Sequence, residues 1–471
     1  MKPINNIESE LKNTNTNFIK EVLQPFLRIP SNTLNEEGIQ KAKDFIISYI
    51  NNYSEEIVEY KGKTNPLFLI NIEGKLKDKL LIYMMYDTQP INKEKEWLSD
   101  PFGAEIHKLK YPLDALGECI IARGAYNSKS PLICFLNVVK ILKEFKELPI
   151  SLLLLFDGEE EIGSPTLLKL IEEKKELFKD CIDVYYPSMK QGINGNLILK
   201  LGYKGILSIT LKVSSKNKEP HSAFSAMIPS PATDLISILS SIYFNNKFQI
   251  EILKKPYEIT EEEKTIFNEL IKKIDFKGLK NKAGILQTRK NDIRLDFFNY
   301  LFNPTFNIST LKSGFLTKGT KNYVPKKALC NVDIRFAHNV SVDEIFKEIQ
   351  NKVDLFTKSS NSEIELIKNI GYESSRVSKD TPLVKSLIES AQKLDFDKEI
   401  WPISAAAAPL SKIQKVLGLN FVTGGLGVGG SAHSANEFIQ HNSIINTRLS
   451  YYYFLQKYSE LYEELKKDLI K

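Results

Sequence analysis

Apolar residues follow three patterns along the chain. From Ile39 to Asn51 they recur at helical spacing, and PLICFLNVVKILKEF, residues 131–145, repeats that spacing with Pro131 in a first-turn position. Lys79 to Tyr83 and ISLLLLF, residues 150–156, are near-continuous apolar runs of strand length, which suit strands covered on both faces. Such helices and strands alternate up to about residue 200, the grammar of a mostly parallel sheet. A different pattern then begins. KGILSITLKV sets Ile206, Ser208, Thr210 and Lys212 on one face and Leu207, Ile209, Leu211 and Val213 on the other, so it predicts a strand with one wetted face in an antiparallel sheet. Thr260 and Glu263 are spaced as a capping box, KKALCNVDIRF (326–336) alternates again, and EIFKEIQNKVDLF is an amphipathic helix. From Thr381 the first grammar returns, with the helix PLVKSLIESAQKL, a strand at Leu419 to Thr423 and a last helix from about Asn446.

These patterns predict an α/β fold: a mostly parallel sheet covered by helices, with an inserted α+β sandwich. The expected boundaries are 1–203 and 377–471 for the two parts of the first domain and 204–376 for the insertion. A length of 471 residues is too great for one ordinary core and agrees with two domains. The net charge of +6 is small for this length, and the lysines are mostly interleaved with glutamates, so solvated faces are expected rather than a nucleic-acid surface. Cys119, Cys134, Cys181 and Cys330 are widely separated, which argues against a zinc ribbon and against a disulfide framework. MKPINNIESELKNTNTNFIK has no apolar leader core and no run approaches membrane-spanning length. A cytoplasmic protein with no membrane partner is the expectation.

Two stretches carry the candidate chemistry. LLIYMMYDTQP, residues 80–90, is a buried strand ending in an acidic turn, with Met84 and Met85 where polar chemistry usually sits at the end of such a strand. FDGEEEIGS, residues 156–164, closes the strongest strand with four carboxylates in five residues, bracketed by Gly158 and Gly163. An acidic cluster alone is ordinarily a solvated loop. Adjacent carboxylates at the end of a buried strand also supply what a metal site with a general base needs, an oxygen ligand and a proton acceptor.

With YDTQP, ARGAYNSKS, FDGEEEIGSP, LGYKGILSITLKV, EPHSA, KNYVPKKALCNVDIRF and SAHSANE in this order, the chain resembles the dizinc aminoacylase and carboxypeptidase family of metallopeptidases. That family includes carnosine-type dipeptidases, acetylornithine deacetylase and succinyl-diaminopimelate desuccinylase, and the dipeptidase-like branch is the nearest. The resemblance runs from about Leu80 to the last helix. It implies a catalytic domain with a parallel-sheet core, and a lid domain that often dimerises.

Carried over by position, the resemblance implies a metal site altered in a pattern. Met85 stands at a His ligand position, with Asp87 two residues on as the carboxylate behind it. Asn127 stands at the bridging Asp. Glu160 matches the general base and Glu161 the neighbouring ligand. The next carboxylate ligand is replaced by Ser188 or Met189, the register being open by one residue. His433 keeps the last ligand position. An amide oxygen is a poor substitute for a bridging carboxylate, and thioethers suit neither zinc nor manganese in a hydrolytic site, so the methionines read as side chains that fill space. No cofactor is therefore expected, the alternative being a single zinc or manganese ion on Glu161 and His433.

In the lid, His221 matches the residue that reaches the partner subunit's site, and Asn322 and Arg335 match substrate-binding positions. Arg123 and Arg376 also fall at motif-like places. WPISAAAAPL, residues 401–410, stands where the family holds the substrate carboxylate on a Gly- and Ser-rich loop, and Ala407 marks a changed pocket there. The resulting expectation is a homodimeric enzyme on an amide, peptide or amino-acid-derived substrate. It uses Glu160 as acid and base, His221 at the oxyanion and Lys129 as a nearby cation, and runs without the metal pair. The alternatives are a non-catalytic relative that binds a peptide, an amino-acid derivative or a protein partner, and a metallopeptidase with an atypical site in which Asp157, Glu159 or Asp87 supplies the missing oxygens.

Overall fold

The computed structural model describes residues 7–54, 56–91, 94–409 and 411–470. The first six residues of the N-terminal stretch and Leu410 of the alanine loop lie outside these. The chain divides into two compact units, one of residues 1–201, 377–401 and 413–471, the other of residues 202–376 and 402–412. Residues 402–412 therefore fall in the second unit, not in the returning part of the first. The backbone gives the reason: Lys204 donates its N–H to the carbonyls of Ser404 and Ala406, and Ser404 donates to Gly202.

The first unit is built on a six-stranded sheet. Its order is Ile57–Tyr60, Leu67–Ile72, Ile150–Asp157, Leu76–Met85, Cys181–Pro187 and Asn420–Gly424. The last four of these run parallel, and the first two are antiparallel to their neighbours. Every residue of Ile150–Asp157 is buried, as a central parallel strand covered on both faces requires. The covering helices include Glu36–Ile50, Lys129–Glu144, Pro382–Gln392 and Ile444–Ile470. Asn35 caps the first of them by accepting from Gly38 N–H. A second, four-stranded sheet, of Gly429–Gly430, Phe438–Gln440, Glu118–Ile121 and Glu105–Lys108, was not expected from the sequence. Its strands are two to four residues long, too short to show a period.

The second unit carries a four-stranded antiparallel sheet, ordered Thr305–Ser313, Lys327–Phe336, Gly205–Ser214 and Glu363–Tyr372. Leu207, Ile209, Leu211 and Val213 enter its core beside Cys330, Val332 and Ile334 and the helices Pro231–Ile242 and Val342–Thr357. Both bonds of the Thr260–Glu263 capping box form. The helices Phe276–Lys282 and Ile293–Phe302 add a helical excursion that the alternating strands did not announce.

Candidate active site

The strands Leu76–Met85 and Ile150–Asp157 run parallel with Met85 opposite Asp157, so both expected motifs end on the same edge of the sheet. Such an edge, where loops leave parallel strands, is where an open α/β sheet gathers functional groups. Four of the five carboxylates there are held by donors from nearby backbone or side chains. Asp87 is fully buried, accepts from the Thr33 hydroxyl at 2.9 Å, and receives the backbone N–H groups of Glu160 and Glu161 at 3.2 Å each. Asp87 thereby anchors the Glu160–Ile162 turn. Asp157 accepts from Tyr83 Oη at 3.1 Å and from Glu159 N–H at 2.9 Å. Glu159 is taken up by the backbone N–H groups of Thr64, Asn65 and Thr166. These bonds give the oxygens of Asp87, Asp157 and Glu159 structural work.

Glu161 lies at the centre of the remaining network. Its Oε2 accepts from Gln89 Nε2 at 2.7 Å, and its Oε1 accepts from Asn127 Nδ2 at 3.2 Å. His433 Nε2 is 3.3 Å from the same Oε1 and 3.1 Å from Asn127 Nδ2. The hydrogen bond with Glu161 raises the His433 pKa above the usual imidazole value, partly offset by burial. His433 has φ of 64°, a left-handed backbone that side chains seldom adopt and that surrounding contacts must enforce. Glu160 next door has its pKa pushed well up, first by burial and then by the charges of Glu161, Asp87 and Asp157.

Met85 and Met189 are almost fully buried. Met189 lies against Gly427, where an added Cβ would come within 2.7 Å of its Cγ. The Ser188 hydroxyl is 2.7 Å from Thr423 Oγ1 on the neighbouring strand. Lys129 is placed differently from its expected role. It is fully buried at the start of its helix, donates to the Ile29 carbonyl at 2.7 Å and lies 4.7 Å from the Phe26 ring centre. Burial lowers its pKa to about 7, while the charge of Lys190 partly opposes the upward shift at Glu160.

Glu437 also went unnoticed in the sequence. It is fully buried and accepts four hydrogen bonds, from Arg123 Nη1 at 2.8 Å and from the backbone N–H groups of Gly124, Tyr126 and Asn127 at 3.0, 3.0 and 2.7 Å. It thereby fixes the loop that presents Asn127. The sequence signal existed, because Glu437 ends SAHSANE and Arg123 opens ARGAYNSKS, but nothing in one sequence joins positions this far apart. Gln89 likewise lies inside YDTQP, whereas Lys190 lies outside every motif.

In the second unit, His221 and Tyr323 form a β-bridge, Ser222 N–H donates to Asn322 O and Val324 N–H to Pro220 O, so EPHSA and KNYVP make one short ladder. His221 is exposed, and its Nδ1 accepts from Ala223 N–H at 3.2 Å. Arg335 lies on the sheet face opposite the core, 3.8 Å from Asp333. Arg376 donates to Glu263 at 2.7 Å. Ala407 is half-buried, and none of the four alanines of its loop has a positive φ.

Comparison with known proteins agrees with the family that the motifs resemble. The chain is 27% identical over 305 residues to the Cys-Gly metallodipeptidase dug1 of Schizosaccharomyces pombe, covering 62% of this chain and 60% of that one. It is 24% identical over 292 residues to the mouse Beta-Ala-His dipeptidase, covering 61% and 57%. The chain thus spans somewhat under two thirds of these relatives. Among solved structures it is similar to an M20 family metallo-carboxypeptidase from Sulfolobus solfataricus, with a TM-score of 0.81, 28% identity and coverage of 93% and 99%. It is also similar to the dipeptidase Dug1p of Saccharomyces cerevisiae, with a TM-score of 0.74, 20% identity and coverage of 97% and 98%. The model of peptidase family M20/M25/M40 matches residues 81–457, and the chain belongs to that family.

Proposed function

We propose that this M20 family member is a cytoplasmic homodimer, paired through its lid, that acts on an amide, peptide or amino-acid-derived substrate with Glu160 as acid and base and without a dinuclear metal centre. The dipeptidase relatives support the substrate class. The observation that carries the metal-free reading is the Asn127 amide, whose Nδ2 lies within hydrogen-bond distance of both Glu161 Oε1 and His433 Nε2. A bridging ligand must offer anionic oxygen to two cations, whereas this amide turns donors toward the two ligand-type side chains that remain. Neither Ser188, whose hydroxyl meets Thr423, nor Met189 supplies a carboxylate. The donor set therefore does not fit a dinuclear site.

In this reading Glu161 and Asn127 orient His433, Glu160 exchanges a proton with the substrate, and Lys190 and His433 supply the positive charge facing the carboxylates. Proton transfer, cyclisation, isomerisation and acyl transfer on an amide-type substrate are within reach of such a site. Hydrolysis demands more, because water and carbonyl must then be activated by side chains alone.

The test is elemental analysis of protein purified without a metal-affinity tag, with activity on dipeptides and N-acyl amino acids measured with and without EDTA. Substoichiometric metal and chelator-insensitive activity are expected. Two equivalents of zinc or manganese, with activity lost in EDTA and regained with metal, overturn the reading.

A further inference from the structure

The helical excursion of the second unit is chemically unlike the rest of the chain. Residues 272–294, KKIDFKGLKNKAGILQTRKNDIR, hold eight Lys and Arg against two Asp, a net charge of +6 that equals that of the whole protein. Both aspartates are committed as helix caps. Asp275 accepts from Gly278 N–H at 2.8 Å and Asp292 from Leu295 N–H at 2.9 Å. Between the helices Phe276–Lys282 and Ile293–Phe302, the loop raises its apolar residues into solvent. Leu286 is 96% exposed, Ile293 56% and Ile285 42%. These three, with Phe276, Lys277 and Lys280, line an open cavity of about 410 Å³.

Exposed apolar side chains ringed by cations are costly in water and suited to an interface that is anionic at its surface and apolar beneath. We propose that this loop is a peripheral docking site for anionic lipid bilayers, with Leu286 and Ile285 passing the headgroup level and Lys277, Lys280 and Lys290 lying at the phosphates. The charge complementarity fits the anionic cytoplasmic leaflet. A nucleic acid would use the same charge but gains nothing from Leu286, and the only aromatic ring in the stretch on which a base could stack, Phe276, is half-buried. A folded protein partner ordinarily needs a contact of about 800 Å² on each side, much more than three apolar side chains supply. Among the described residues no helix is long and apolar enough to cross a membrane, so the attachment would be reversible.

The experiment is flotation of the full chain with vesicles of phosphatidylcholine alone, or with about 30% phosphatidylserine. It does not depend on any enzymatic reading. Binding is expected only with phosphatidylserine, and is expected to fall sharply in about 0.5 M salt. Leu286→Ser should weaken it about tenfold, and Lys277→Gln, Lys280→Gln and Lys290→Gln together about a hundredfold, at about fivefold for each charge. Lys12→Gln, Lys41→Gln and Lys77→Gln, exposed lysines of the other unit, should leave it unchanged. The proposal is overturned by absence of phosphatidylserine-dependent binding, by an equal loss with the second lysine set, or by a Leu286→Ser variant that binds as the native protein does. The last result would mark a polyanion surface, such as one for RNA.

Discussion

Two glutamates of the same unit, fully buried Glu437 and half-buried Glu160, meet opposite surroundings. Burial pushes both carboxyls above their usual range. At Glu437, Arg123 and three backbone N–H groups oppose that push and hold the charge in place. At Glu160 the neighbours are further carboxylates, Glu161, Asp87 and Asp157, with Lys190 as the opposing charge. A carboxylate surrounded by donors is part of the framework. One surrounded by its own kind costs stability and is retained more easily if it does chemistry.

Substitutions can break this comparison, and the largest effect is expected at Glu437. Glu437→Ala strands the Arg123 charge and three N–H groups in the interior and should cost about 3–5 kcal/mol of stability, read as a fall in Cm in urea. Glu160→Gln should lower activity at least about a hundredfold, about 3 kcal/mol of barrier, while Cm stays level or rises because a crowded charge is removed. If both variants only unfold the protein, the contrast fails. Lys190→Met tests the opposing charge. Its ammonium lies 5.8 Å from the Tyr126 ring centre, beside Asn127, and removing it should lower kcat about tenfold with Tm nearly constant.

The smallest effect serves as a control away from the site. Asp183 accepts from Tyr458 Oη at 2.8 Å and Asn420 Nδ2 at 3.0 Å, yet burial pushes its carboxyl up to about 6. An acid raised on folding binds more protons in the native state than in the unfolded one between its ordinary value and about 6, so native stability falls as pH rises through that window. Asp183→Asn should remove this slope. With the weaker hydrogen bonding of the amide costing about 1–2 kcal/mol at every pH, the variant should fall below the native protein near pH 4 and exceed it by about 1 kcal/mol above pH 6.

The large elements were legible because their periods are long. Six apolar residues in an eight-residue run that ends in a carboxylate leave little choice for Ile150–Asp157, and the one-face alternation of Gly205–Ser214 survives intact in the core. The short second sheet and the helical excursion were not legible, the first because its strands hold no full period, the second because its helices mix exposed Ile293 and Leu295 with buried Phe297, Leu301 and Phe302. Within the site, motif order located Asn127, Glu160, Glu161 and His433 near one another. It could not show that Asp87 anchors a turn, that Lys129 bonds to Ile29, or that Glu437 holds the Asn127 loop, since each depends on a partner remote in sequence.

That remoteness has a consequence in time. Glu437 follows Asn127 by 310 residues, with the whole second unit between them. At translation rates of about 5–20 residues per second, the loop that bears Asn127 waits roughly 15–60 s on the ribosome for the carboxylate that orders it. Domains fold as units during synthesis, so the inserted one can form while the surrounding one is still split. On this schedule the candidate site is among the last parts of the protein to mature, and a nascent chain stalled before residue 437 would carry the strand-end carboxylates without their assembled geometry.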